Sequence, residues 1–157
     1  MILKLIILCL FFNSSFVAAA QPLYKLSIAA IFQNEAVYLD EWIKYHRMVG
    51  VEHFLLYNDA SEDDWQKVLN PYIAEGVVEV ISWPSQSRKH FIGNQISAYQ
   101  DALKKLNGVS EWLALIDLDE FLLPAQERTV TDCLKKHFSQ TTFLGKPSTS
   151  TEPCPNL

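Results

Sequence analysis

Asp117 and Asp119 stand two residues apart, directly after the apolar run Trp112-Leu113-Ala114-Leu115-Ile116. In an extended segment, side chains at that spacing point to the same side. Paired carboxylates of this kind hold a hard divalent ion, which takes oxygen ligands and keeps other positions for waters and phosphate oxygens. Such an ion neutralises a diphosphate leaving group, as Lewis acid and as template. The competing reading is a solvated acidic strand end, and a lone Asp-x-Asp is a weak signal. Its setting strengthens it. Gln33-Asn34-Glu35 follow a second apolar run, and Asn58-Asp59-Ala60-Ser61-Glu62-Asp63 follow a third. Three acidic strand ends facing one crevice are electrostatically costly without a cation.

Each remaining candidate carries two readings. Asp59 can accept the N3 hydrogen of a uracil ring, or cap the turn that follows it, and spacing alone favours the cap. Asn34 and Glu35 can touch a ribose, or cap a helix, with the same preference. His46 falls on the apolar face of a helix and reads as a core or boundary histidine. Gln95 and Tyr99 lie near the start of a helix, where an anion can be met, but no glycine-rich loop accompanies them. Trp42, Trp65, Trp83 and Trp112 read most simply as core residues.

The elements that must position these groups alternate along the chain. Leu26 to Phe32 is a short apolar run of strand length. Leu39, Trp42, Ile43, His46 and Val49 recur at helical spacing and end at Gly50. His53 to Tyr57 is a second strand. A helix with Trp65, Val68, Leu69, Tyr72 and Ile73 follows, capped by Asp63 or Asp64, with Pro71 shortening or kinking it. Val77 to Trp83 is a third strand, and Ser85 to Asn94 a polar stretch. Ile96, Tyr99, Leu103 and Leu106 mark the next helix. Trp112 to Ile116 is the fourth and most apolar strand, and Val130, Cys133, Leu134, His137 and Phe138 trace a last helix. Strands separated by helices pair in parallel through right-handed crossovers. Continuous apolar strands suit a sheet covered on both faces. The predicted fold is an open, mostly parallel α/β sheet of Rossmann type, whose ligands bind beyond the carboxyl ends of the strands.

The chain has 157 residues and a formal net charge of −5, which fits one domain. Without a basic stripe, nucleic acid is not indicated as a partner. Arg88-Lys89-His90 and Lys135-Lys136-His137 are dense but short basic triplets. Residues 1–20 differ in kind: Lys4, an apolar run from Leu5 to Phe12, and small Ala18 and Ala20 read as a secretory signal cleaved before Gln21. An uncleaved membrane anchor is the other reading, though Asn13-Ser14-Ser15 interrupt the run. Either reading places the protein in the secretory pathway or exports it. Cys133 and Cys154 allow one disulfide, and Cys133 with His137 supplies too few ligands for zinc. The Ser/Thr/Pro-rich end, residues 144–157, reads as disordered.

Together these segments resemble the family 92 glycosyltransferases from about Tyr24 to Pro124. The opening IAAIFQNEAVYLDEWIKYHRMVGVEHFLLYNDAS (residues 28–61) has the family's Asn-Glu, its Glu-Trp-Ile-x-Tyr-His and its strand ending in Tyr-Asn-Asp. VEVISWP, then Gln95 before the Ala98-Tyr99 pair, then EWLALIDLDEFLLP resemble the later blocks. The resemblance implies a GT-A fold over residues 24–143. It also implies a nucleotide sugar as donor, commonly a UDP-hexose, and Mn2+ or Mg2+. By the same implication Asp119 is a metal ligand and Asp117 is shared between metal and ribose. Asp59 would lie by the base, Glu35 near the ribose, and a glycan or glycoprotein would be the acceptor. No residue is assigned as catalytic base. Family members continue well past the Asp-x-Asp, whereas this chain ends at Leu157. It therefore resembles the donor-binding half, with the C-terminal half missing.

Two other functions compete. One is a non-catalytic domain that keeps the fold and donor binding. The other is a phosphatase of haloacid-dehalogenase type, with Asp117 attacking phosphorus and Asp119 as acid/base. That motif opens its own domain and needs a downstream lysine and acidic pair; here it comes late, with little chain after it.

Overall fold

A computed structural model describes residues 21–85, 91–124 and 126–138. The leader at 1–20, the tail at 144–157, Cys154 and Arg88-Lys89-His90 lie outside the described residues. The elements follow in the order β1 (Tyr24–Phe32), α1 (Ala36–Met48), β2 (His53–Asn58), α2 (Trp65–Ala74), β3 (Val78–Ser82), α3 (Phe91–Leu106), β4 (Ser110–Leu115) and α4 (Val130–Phe138). Among the described residues, no helix is long and apolar enough to cross a membrane.

The four strands form one sheet in the order β3-β2-β1-β4, and every pairing is parallel. Phe32 pairs with Asn58, and Asn58 with Ser82, so three strands finish level. Period-two alternation divides β1 between two cores. Leu26, Ile28, Ala30 and Phe32 face one layer with Leu39, Trp42 and Ile43 of α1, Leu69 and Tyr72 of α2, and Phe54 and Leu56 of β2. Ala29 and Ile31 face the opposite layer with Leu55, Tyr57 and the α3 residues Ala98, Ala102 and Leu106. Helices thus cover both faces, as the unbroken apolar strands require. This is the Rossmann-type open sheet expected from the sequence.

Several local expectations change. α3 begins at Phe91, inside the stretch read as a polar loop; Gly93 in its first turn is a poor helix former, and Ile92 beside it is 72% exposed. Its buried stripe is not Ile96 and Leu103, which are 51% and 53% exposed; Ala98 and Ala102, both 0% exposed, meet the sheet instead. Small side chains let the helix axis come close to the strands, a contact that apolar periodicity does not reveal. Asp64 sits at the start of α2 without a side-chain cap bond. Asp63 caps a different helix, its Oδ2 accepting from the Ala36 amide of α1 at 2.7 Å. Pro71 lies inside α2, which continues only to Ala74. Gly50 ends α1 at φ 103°, where a Cβ would come within 3.1 Å of Thr129 Cβ, so only glycine suits the site.

The α3 contact gives the first prediction. Ala102→Leu overpacks the helix against the sheet and costs about 1–3 kcal/mol, whereas Leu103→Ala on the exposed face stays within about 0.5 kcal/mol of the parent. Urea unfolding midpoints of the two variants check it.

Candidate functional site at the β1–β4 crevice

The chain runs outward from β1 through β2 to β3 along one face, then returns through α3 on the other face to place β4 at β1's free side. The direction of winding therefore reverses between β1 and β4. At such a switch point the loops leave the sheet in opposite directions and open a crevice at the strand carboxyl ends. A cavity of about 330 Å³ lies there, lined by Ile31 and Phe32 at the end of β1, Gln33 and Glu35 after it, and Asp117, Leu118 and Asp119 after β4. The topology has brought together Glu35, Asp117 and Asp119.

The Asp-x-Asp is not extended, as the spacing argument assumed. β4 ends at Leu115, and Asp117 to Glu120 form a turn closed by the Glu120 amide donating to the Asp117 carbonyl at 3.1 Å. The Glu120 carboxylate accepts from the Asp117 amide, also at 3.1 Å. Leu118, between the two aspartates, is 4% exposed and belongs to the core shared with α1. Burying it turns both flanking carboxylates to the cavity. The two aspartates share a side for a different reason from the one expected.

Asp117 is held from α3. Its Oδ1 accepts from Gln95 Nε2 at 2.7 Å and from the Tyr99 hydroxyl at 3.1 Å. Burial and the nearby Asp117 charge push the Tyr99 phenol up to about 12, against a lowering bond from Gln95, so it stays a donor at neutral pH. Sequence reasoning assigned these two residues no role. Their spacing, i and i+4 on one helix face, was the available signal.

The remaining predicted site residues are spread over two layers. Glu35 lines the cavity. Asn34 sits at φ 58°, a left-handed conformation that asparagine tolerates. Its amide donates to Ser61 Oγ at 2.9 Å and its Oδ1 accepts from the Glu62 amide at 2.7 Å. Asn34 thus ties the β1–α1 loop to the β2–α2 loop. Asp59 is 1% exposed, with its Oδ1 accepting from the Ser85 amide past β3. Its backbone carbonyl takes the Gln33 side-chain amide at 2.7 Å. Both residues stand behind the cavity rim and fix its loops to one another.

The donor set is oxygen only. Among the described residues, no three His, Cys, Asp or Glu side chains gather as a cage, and no lysine or arginine lines the cavity. Two carboxylates in an open crevice fit Mg2+ or Mn2+, which keep waters and phosphate oxygens in their coordination. Burial pushes the Glu35 carboxyl up; the Gln33 amide opposes this, and repulsion from Asp119, Asp117 and Asp63 adds to it. The crevice carries negative charge that its own residues do not offset.

The family model for glycosyltransferase family 92 matches residues 24–145. A family 92 protein of Ricinus communis is 29% identical over 99 residues, 62% of this chain and 17% of that protein. One from Oryza sativa subsp. japonica is 27% identical over 115 residues, 73% of this chain and 19% of its own length. A galactan beta-1,4-galactosyltransferase of Arabidopsis thaliana is 29% identical over 116 residues, 70% of this chain and 23% of its own. The chain thus spans only 17–23% of these relatives.

Glu35 supplies a pH prediction. Its folded-state carboxyl titrates above the ordinary value of 4.5, so the folded state holds the proton more tightly than the unfolded one. The ionised group therefore costs stability, and the cost appears as pH rises through that window. Glu35→Gln stabilises the metal-free chain at pH 7, by under about 1 kcal/mol after solvent screening, and raises its melting temperature. The difference closes as pH falls below 4.5. Paired melting curves across that range check it.

Proposed function

The chain belongs to glycosyltransferase family 92, and on that premise we propose that the β1–β4 crevice binds a nucleotide sugar, most simply a UDP-hexose, with Mn2+ or Mg2+. Asp119 and Asp117 hold the ion against the donor diphosphate. When bound, the ion supplies Lewis-acid stabilisation of the departing nucleoside diphosphate. Glu35 faces the ribose, and Asn34 and Asp59 set the rim that receives ribose and base. Gln95 and Tyr99 both donate to Oδ1 of Asp117, which would leave Oδ2 for the ion. The hexosyl group passes to a glycan or glycoprotein acceptor, an activity of the whole protein; donor binding is the part these residues perform themselves. The N-terminal run from Lys4 to Ala20 would direct that activity to the secretory pathway or export it, as a cleaved leader or as an anchor.

The observation that carries this reading is the meeting of Glu35, Asp117 and Asp119 at the one point where the winding reverses. The place of the motif favours this reading over a phosphatase: the haloacid-dehalogenase nucleophile loop opens its domain, whereas Asp117 follows β4, the last of the described strands.

Calorimetric titration of UDP into the purified chain tests it. Binding requires Mn2+, and Asp119→Ala weakens it by at least about ten-fold, or about 1.4 kcal/mol. A folded chain that binds no UDP, or binds it equally without Mn2+ and with Asp119→Ala, overturns the donor site.

A further inference from the structure

The chain leaves the acidic turn along Glu120-Phe121-Leu122, past the end of β4 and outside the sheet. Backbone groups there have no strand partner, and partly buried ones left unbonded are expensive. Side chains of α1 satisfy three of them. Trp42 Nε1–H donates to the Glu120 carbonyl at 2.9 Å. The Tyr45 hydroxyl donates to the Leu122 carbonyl at 3.0 Å. The Leu122 amide donates to His46 Nε2 at 3.2 Å. Positions i, i+3 and i+4 form one face of a helix, so α1 presents two donors and one acceptor to a single short segment.

His46 fixes the polarity of this arrangement. A backbone amide can only donate, so Nε2 must be the unprotonated nitrogen. Nδ1 then carries the hydrogen and donates to the Trp42 carbonyl at 2.8 Å. The tautomer follows from the bonds. The ring is fully buried, stacked on Phe121 at 5.6 Å and 14° and packed on Trp42 at 4.5 Å. Burial pulls its pKa down, against the bond to Trp42, which keeps the ring neutral. Both ring nitrogens are therefore satisfied, one within α1 and one by the segment beyond β4.

We propose that Trp42, Tyr45 and His46 are positioning residues for Asp119 and Asp117, acting through the backbone of Glu120 to Leu122. The inference rests on the donor-site reading for what the turn binds. Asp119 is bracketed: Leu118 before it is sunk in the core, and the carbonyl of Glu120 after it is held by Trp42. Removing the acceptor at His46 frees the Leu122 amide and lets the far side of the turn swing. The Glu-Trp-Ile-Lys-Tyr-His stretch of α1 and the Asp-Leu-Asp-Glu-Phe-Leu stretch after β4 thus act as one unit, though 76 positions separate His46 from Leu122.

The test compares the parent chain with His46→Leu, which removes both nitrogens, and His46→Gln, which restores an acceptor. Tyr45→Phe, which removes one hydroxyl, serves should His46→Leu fail to fold. One arm needs no ligand: amide hydrogen exchange at Asp117 to Leu122 relative to β1. His46→Leu, or Tyr45→Phe in its place, speeds exchange there about ten-fold more than in β1, the scale of one lost buried hydrogen bond. The second arm is Mn2+-dependent UDP affinity, which falls about ten-fold in His46→Leu and stays within about three-fold in His46→Gln. A folded variant that exchanges uniformly and binds like the parent overturns the positioning role. Should the parent itself bind no UDP, the donor reading fails, and exchange alone decides whether α1 holds the turn.

Discussion

β1 shares only with β2, among the described strands, hydrogen-bonded neighbours on both sides and helices over both faces. It differs from β2 in where its neighbours come from. β2 is the next strand in the chain, whereas β4 arrives last, after the path has crossed to the other face. Right-handed crossovers leave no alternative: a chain that winds away from β1 along one face can fill its other side only by returning along the opposite face. The loops after β1 and β4 then diverge, and the crevice between them is a consequence of winding. The acidic residues stand where that geometry puts them.

Holding such a crevice open takes polar groups that do not themselves face it. Asn34, Asp59 and Asp63 fasten the loops after β1, β2 and β3 to each other through backbone amides. Gln95 and Tyr99 reach from α3 to Asp117, and α1 secures the segment beyond the turn. Most of the polar side chains around the site therefore organise backbone or other side chains. Glu35, Asp117 and Asp119 remain, crowding their charges together at a cost that burial increases. The hard cation proposed for this site would offset that cost.

The sequence made the α/β alternation legible because strand runs and helical spacing differ in period. It also pointed to Asp117 and Asp119, since acidic residues directly after the most apolar run are conspicuous. Three things were hidden for physical reasons. Ala98 and Ala102 carry the α3 contact by being small, so apolar periodicity pointed to Ile96 and Leu103 instead. Asp63 caps α1 from 27 residues away, a tertiary bond that local capping rules assign to the nearer helix. His46 looked like a core histidine, and it is buried; what local spacing could not show is that its second nitrogen receives a backbone amide from beyond β4.

The proposed donor site lies where the winding reverses. Amide chemical-shift mapping of the 15N-labelled chain, titrated with UDP in the presence of Mg2+, tests it most directly. Perturbations are expected to concentrate at Gln33 to Glu35 and at Asp117 to Glu120, the two loops at the crevice. Shifts centred instead on the groove between α1 and α2, around Lys44, Arg47 and Lys67, would contradict it.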